Sequence, residues 1–189
     1  MKLTPRLLKR LIKETIRENR MILSEALGRD YDSLMSNLEG QSPETNSIGI
    51  LSGQYPMAQA GLAPEEEDAR AMQLNQRLSE MGFENVPIDG KYGNEEKSNV
   101  VHNPSQEEME RLCEEFQQES YVHGEKQSEG TMVYELRKVI YNNEGEAIGS
   151  DMYPETQRVT TIIKDEELAG ASDNYSAIGG KKFAFPFFK

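Results

Sequence analysis

The chain has 189 residues and one cysteine, Cys113, so no disulfide can form within it. It has no tryptophan and only two histidines, which leaves little material for a histidine-rich metal centre. No apolar run approaches the roughly 18 residues that a membrane-spanning helix needs. The first residues also lack the apolar core of a secretory signal. A reducing compartment is expected from these absences, with no transmembrane segment. Basic residues are outnumbered as well: 21 Lys and Arg face 33 Asp and Glu, a net charge of −12. Such a surface repels phosphate backbones, so no direct nucleic acid contact is expected.

What positive charge there is lies at one end. Residues 1 to 20 hold seven Lys or Arg against two acids, a local net of +5, and the rest carries 14 basic and 31 acidic residues. Thr4-Pro5 fits an N-cap followed by proline at the first helical position. Leu7, Leu8, Leu11, Ile12 and Ile16 then fall on one stripe, with Arg10 and Lys13 among the cations opposite. A basic amphipathic helix is expected over residues 1–25. It either packs on its own domain or docks elsewhere through Leu7, Leu11, Arg10 and Lys13, on a protein partner or peripherally on a membrane. Residues 26–46, with Gly28, Gly40, Ser42 and Pro43, read as a linker in which some helix around Tyr31 to Leu38 fits the pattern.

Residues 47–189 read as the body. Ser47 to Leu51 suits a buried strand, and Pro64 opens a helix with four acids in its first turn and Ala71, Leu74, Leu78 and Met81 as its inner stripe. Asn85 to Ile88 and Ser98 to Val101 read as strands around a Gly90-Lys-Tyr-Gly93 loop. Ser105 and Glu108 form a capping box ahead of Met109, Leu112, Cys113 and Phe116, and Ser120 to His123 closes a β-α-β-β-α-β order. Residues 131–152 read as a hairpin, 164–176 as a loop, and Phe183 to Phe188 as an edge strand. The expected class is therefore α/β (α+β): a mixed β-sheet with two packed helices, a C-terminal β-hairpin extension and the N-terminal amphipathic helix.

No P-loop, dinucleotide fingerprint, nucleophile elbow or paired-cysteine motif occurs, and no cofactor or metal is implied. Gly179-Gly-Lys-Lys182 lacks the glycine spacing of a phosphate loop. The segments around Glu96-Lys-Ser98 and Gln118-Glu-Ser120 each lead polar residues into a strand ending at a histidine, His102 or His123. If the strands lie side by side, one edge gathers Lys91, Glu96, Gln118 and Ser120 as a catalytic set with Glu96 as general base. The other edge gathers the two histidines as a candidate ligand pair. The plainer alternative, and the favoured one, is that these polar residues cap strand starts and that both histidines lie at exposed strand ends. Asn75 is expected to hydrogen-bond the Ser52 to Met57 loop.

The ordered features Ser52-Gly-Gln-Tyr-Pro-Met57, Asn75, Gly82-Phe83, Gly90-Lys-Tyr-Gly93, Glu96-Lys-Ser98 and Gln118-Glu-Ser120 resemble an uncharacterised bacterial and tailed-phage α/β domain family. Tyr55 stands where that family would have Asn before the proline. The N-terminal helix ending in Leu23-Ser24-Glu25, followed by Ala26, resembles a phage capsid-targeting peptide cut after Glu25. These resemblances imply a phage-type accessory protein, in the host cytoplasm or the virion, packaged in or docked on an assembly through its first helix, with an acidic body that binds a protein partner. The alternative is a small enzyme acting on a nucleotide or other small substrate at the Lys91, Glu96, Gln118, Ser120 edge.

Overall fold

The computed structural model describes residues 30–54, 64–92, 94–168 and 174–187. Residues 1–25, with Leu7, Arg10, Leu11, Lys13 and Glu25, and Ala26 after them, lie outside the described residues. The first described element is α1, residues 30–38. It is followed by β1 (Ser47–Ser52), α2 (Pro64–Glu80), β2 (Asn85–Tyr92), β3 (Asn94–His102), α3 (Gln106–Phe116) and β4 (Ser120–Lys126). Then come β5 (Met132–Tyr141), β6 (Ala147–Met152), β7 (Ile163–Lys164), β8 (Asn174–Ile178) and β9 (Lys181–Ala184).

The mixed α/β reading is overturned. The nine strands form one antiparallel, curled half-barrel in the order β6-β5-β4-β1-β3-β2-β8-β9-β7, and the three helices are short. The reason is visible at its centre. β1 and β2, joined through α2, run parallel but are held apart by β3, which pairs antiparallel with both. β3 and β4, joined through α3, are likewise separated by β1. Each helical crossover thus straddles a strand, the split β-α-β arrangement, and no parallel pair becomes adjacent. Hairpins then extend the sheet on both sides.

The outer face carries α2 and α3. Leu74 and Leu78 meet Met109, Leu112, Cys113 and Phe116 over Leu51, Val101, Tyr121 and Val139. The Ser105 and Glu108 capping box forms as the sequence predicts, at 2.7 and 3.2 Å. The helices come close because glycines lie in β1 and just after it: a Cβ on Gly49 would sit 2.3 Å from Met109 Sδ, and one on Gly53 2.9 Å from Ala71 Cα.

The inner face is filled from both ends of the described chain. Tyr31, Leu34, Met35 and Leu38 of α1 pack with Ile48, Ile50, Val100, Tyr134, Phe183, Phe185 and Phe187. Tyr134 Oη donates to the Leu38 carbonyl at 2.5 Å and Tyr31 Oη to the Lys182 carbonyl at 3.1 Å. Residues 30–38 of the expected linker therefore belong to the core. The end of the expected 164–176 loop, residues 174–176, belongs instead to β8, which pairs with β2. The Gly179-Gly180 pair makes its hairpin turn, both residues at positive φ (59° and 82°). Among the described residues no helix is long and apolar enough to cross a membrane.

Candidate functional site

Residues 90–92 of the expected Gly90 to Gly93 loop are instead the end of β2, paired with β3 as far as Tyr92 and Asn94, so Lys91 and Glu96 both stand in strands. Alternation decides which way each faces. Gly90 pairs with both Glu96 and Ser176, and Ser98 with Ser52, which puts Glu96, Ser98, Ser52 and Ser176 on the inner face. Lys91 pairs with Glu95 and Tyr175, on the outer face. The sheet thus separates Lys91 from Glu96 and breaks the expected catalytic set.

The other members stay near Glu96. Ser120, which pairs with Lys138, shares the inner-face parity of Ser52 and lies at the same end of the neighbouring strand. Gln118 is buried, and its Nε2 donates to the Gln54 carbonyl and, at 3.1 Å, to the Phe116 carbonyl. That is the buttressing role of a polar residue at a strand start. Arg70 makes the companion brace, Nε to the Gly53 carbonyl at 3.0 Å and Nη2 to the Phe116 carbonyl at 2.6 Å. Arg70 thus braces the described start of that loop; Asn75 stands exposed on α2, and residues 55–57, to which its expected bond extends, lie outside the described residues.

Glu96 itself is chemically unusual. Burial pushes its carboxyl up from 4.5 to about 7, and a hydrogen bond with the Ser52 hydroxyl partly offsets this. The Ser52 hydroxyl has one proton, and the Lys97 carbonyl lies 3.2 Å away as a competing acceptor. Protonating Glu96 removes the competition, because the carboxyl can then donate to Ser52.

The histidines do not combine. His102 pairs with Ile48 and His123 with Gly49, neighbours on β1 whose side chains leave opposite faces. Neither is at an exposed strand end. Burial lowers both pKa values, which keeps the rings neutral, and His102 Nε2 and His123 Nδ1 are buried without partners. Among the described residues no group of three or more His, Cys, Asp or Glu could hold a metal ion. Cys113 is buried and its thiol is held far above its usual range by burial.

Beside α2 the outer face of β2 and β8 is left uncovered, and a groove runs there in two lobes sharing Asp68, Asp89, Lys97 and Ala177. One lobe, about 510 Å³, reaches round the hairpin to Gln54 and Glu96 and is lined by Glu67, Asp68, Asp89, Glu95 and Glu96 against two lysines. Both lysines are engaged: Lys97 Nζ bonds Asp68 at 2.6 Å, and Lys182 Nζ sits 3.9 Å from the centre of the Tyr175 ring. The other lobe, about 400 Å³, lies between Ala71, Met72 and Asn75 of α2 and Pro87, Asn99 and Ala177 of the sheet. Sequence reading missed Asp68, Asp89, Lys97 and Asn99 as a set. Alternation along β2 and β3 puts the last three on one face, but the wall that completes the groove is β8, which the sequence did not reveal.

No family model matches the chain, and no curated protein matches it. The site's chemistry is the ground for a functional reading.

Proposed function

We propose that the protein is a phage-type accessory protein that docks on a larger assembly through residues 1–25 and uses its acidic body to hold a positively charged segment of a protein partner. The observation that carries this reading is the 510 Å³ lobe, where Glu67, Asp68, Asp89 and Glu95, even without Glu96, outnumber two lysines, one of them paired with Asp68 and the other over the Tyr175 ring. A cleft of one sign focuses its field and attracts the opposite charge. The same field opposes a nucleotide, whose phosphates it would repel. The segregation of +5 into the first 20 residues separates attachment from capture along the chain.

The test compares the full chain with a chain starting at Ala26. Both should bind a Lys/Arg-rich peptide and ignore an acidic peptide of equal length. Affinity should fall steeply with added salt, and an Asp89→Lys, Glu95→Lys double variant should lose binding. Only the full chain should co-sediment with assembled particles, and Leu7→Asp, Leu11→Asp should abolish that association. Equal binding of both peptides sinks the capture role. Equal sedimentation of both chains sinks the attachment role.

A second reading, a small enzyme, is favoured by one observation: Glu96 titrates near neutrality beside the Ser52 hydroxyl, as a general base at physiological pH would. Lys91 takes no part in it. Product formation from a panel of small neutral or cationic substrates, abolished by Glu96→Gln in a chain that remains folded at the assay pH, would move this reading ahead.

A further inference from the structure

The 400 Å³ lobe has features that charge alone does not explain. Its walls, Ala71, Met72, Pro87 and Ala177, are apolar, yet Met72 is 73% exposed. Asn99, which also lines it, is 3% exposed, and its Oδ1 is buried without a hydrogen-bond partner. An orphaned buried acceptor calls for an N–H donor. Asp68, Asp89 and Lys97 line the same lobe, and because Lys97 is paired with Asp68, Asp89 supplies its net negative charge. The volume suits a side chain or small ligand rather than a folded domain.

We infer that this lobe is a guanidinium site, which anchors an arginine side chain of the partner against Asn99, Asp89 and Met72. The inference rests on the cationic-partner reading above and deepens it. A guanidinium carries five N–H donors in one plane, so a single group can serve an amide oxygen and a carboxylate together. It is weakly hydrated and stacks well on soft, flat surfaces, which suits walls of Met72 and Pro87. A lysine ammonium is compact and strongly hydrated, and would lose more water in entering between apolar walls.

The probes are N-acetyl-arginine amide, N-acetyl-lysine amide and N-acetyl-citrulline amide, titrated into the full chain and followed by amide NMR shifts. The arginine probe should shift Met72, Ala177 and Asn99 saturably and bind about tenfold tighter than the other two. Citrulline keeps the plane but loses the charge, and lysine keeps the charge but loses the plane. Asn99→Leu should weaken the arginine probe about tenfold. Asn85→Leu, at a half-buried asparagine whose buried Oδ1 is also unpartnered but which lies outside the groove, should leave binding unchanged. Because Asn99 is buried and its replacement can disturb folding, Met72→Lys at the exposed wall provides the second test and should abolish binding by like-charge repulsion. Equal affinity for arginine and lysine probes, or binding indifferent to Met72→Lys, overturns the guanidinium site and leaves the cationic-partner reading standing. Failure of the basic peptide as well overturns both.

Discussion

Glu96 couples the inner face to pH. Its folded-state pKa, about 7, lies above the ordinary 4.5, so the folded protein retains a proton that the unfolded chain has released between those values. Stability from this group is therefore fully present below about pH 4.5 and is lost as pH rises through 7. The loss is on the order of 1–3 kcal/mol, because each pKa unit corresponds to about 1.4 kcal/mol and the side chain is partly solvated. Glu96→Gln cannot release a proton. In urea unfolding at pH 5 and pH 8, the variant should gain stability relative to the unmodified chain as pH rises, and a difference independent of pH would show that Glu96 is not desolvated. The two histidines, His102 buried and His123 half-buried, act in the opposite sense. Their depressed pKa values mean that stability present above about pH 6.5 is lost as pH falls below it.

At the scale of elements, α1 and β8 separate what the sequence disclosed from what it did not. α3 was legible because its capping box and its i, i+3, i+4, i+7 stripe are local signals, and Met109, Leu112, Cys113 and Phe116 are all buried as expected. Leu74, Leu78 and the β5–β6 hairpin were readable for the same reason. α1 is one short helix amid Gly, Ser and Pro, and its buried face has meaning only once Phe183, Phe185 and Phe187 arrive from the far end of the chain. β8 is Asn-Tyr-Ser-Ala-Ile, too polar to announce a strand, and it exists because β2 offers it an edge. The site followed the same rule. Glu96 and its neighbours could be singled out by residue type, but the split from Lys91 depends on the hairpin register, and the groove depends on β8. α1 also yields a direct test. Leu38 is fully buried, so Leu38→Ala should cost about 2–5 kcal/mol in chemical denaturation. A chain starting at Ser47 loses Tyr31, Leu34, Met35 and Leu38 together, on the order of 6–12 kcal/mol of burial. That rivals the whole stability of a domain, about 5–15 kcal/mol, so this chain should not fold. A cooperative melt from the chain starting at Ser47 would return residues 30–46 to the role of linker.

For the whole molecule, the bond from Tyr31 to the Lys182 carbonyl, 151 positions apart in sequence, has a consequence for how the protein is made. Chains grow at about 5–20 residues per second, so roughly 8–30 s separate the emergence of Tyr31 from that of Lys182. Throughout that interval the inner-face residues Ile48, Ile50, Val100 and Tyr134 are without the aromatic segment that seals them. Only the outer layer, whose buried residues all lie between 51 and 139, can close early. The nascent chain must therefore pass through a stage with one face packed and the other open, exposed to chaperones and to other chains. Stalled chains ending at Ile163 should be cut readily by protease at α1 and protected at α3, whereas equal protection of both would mean that α1 finds its place without the C-terminal strands.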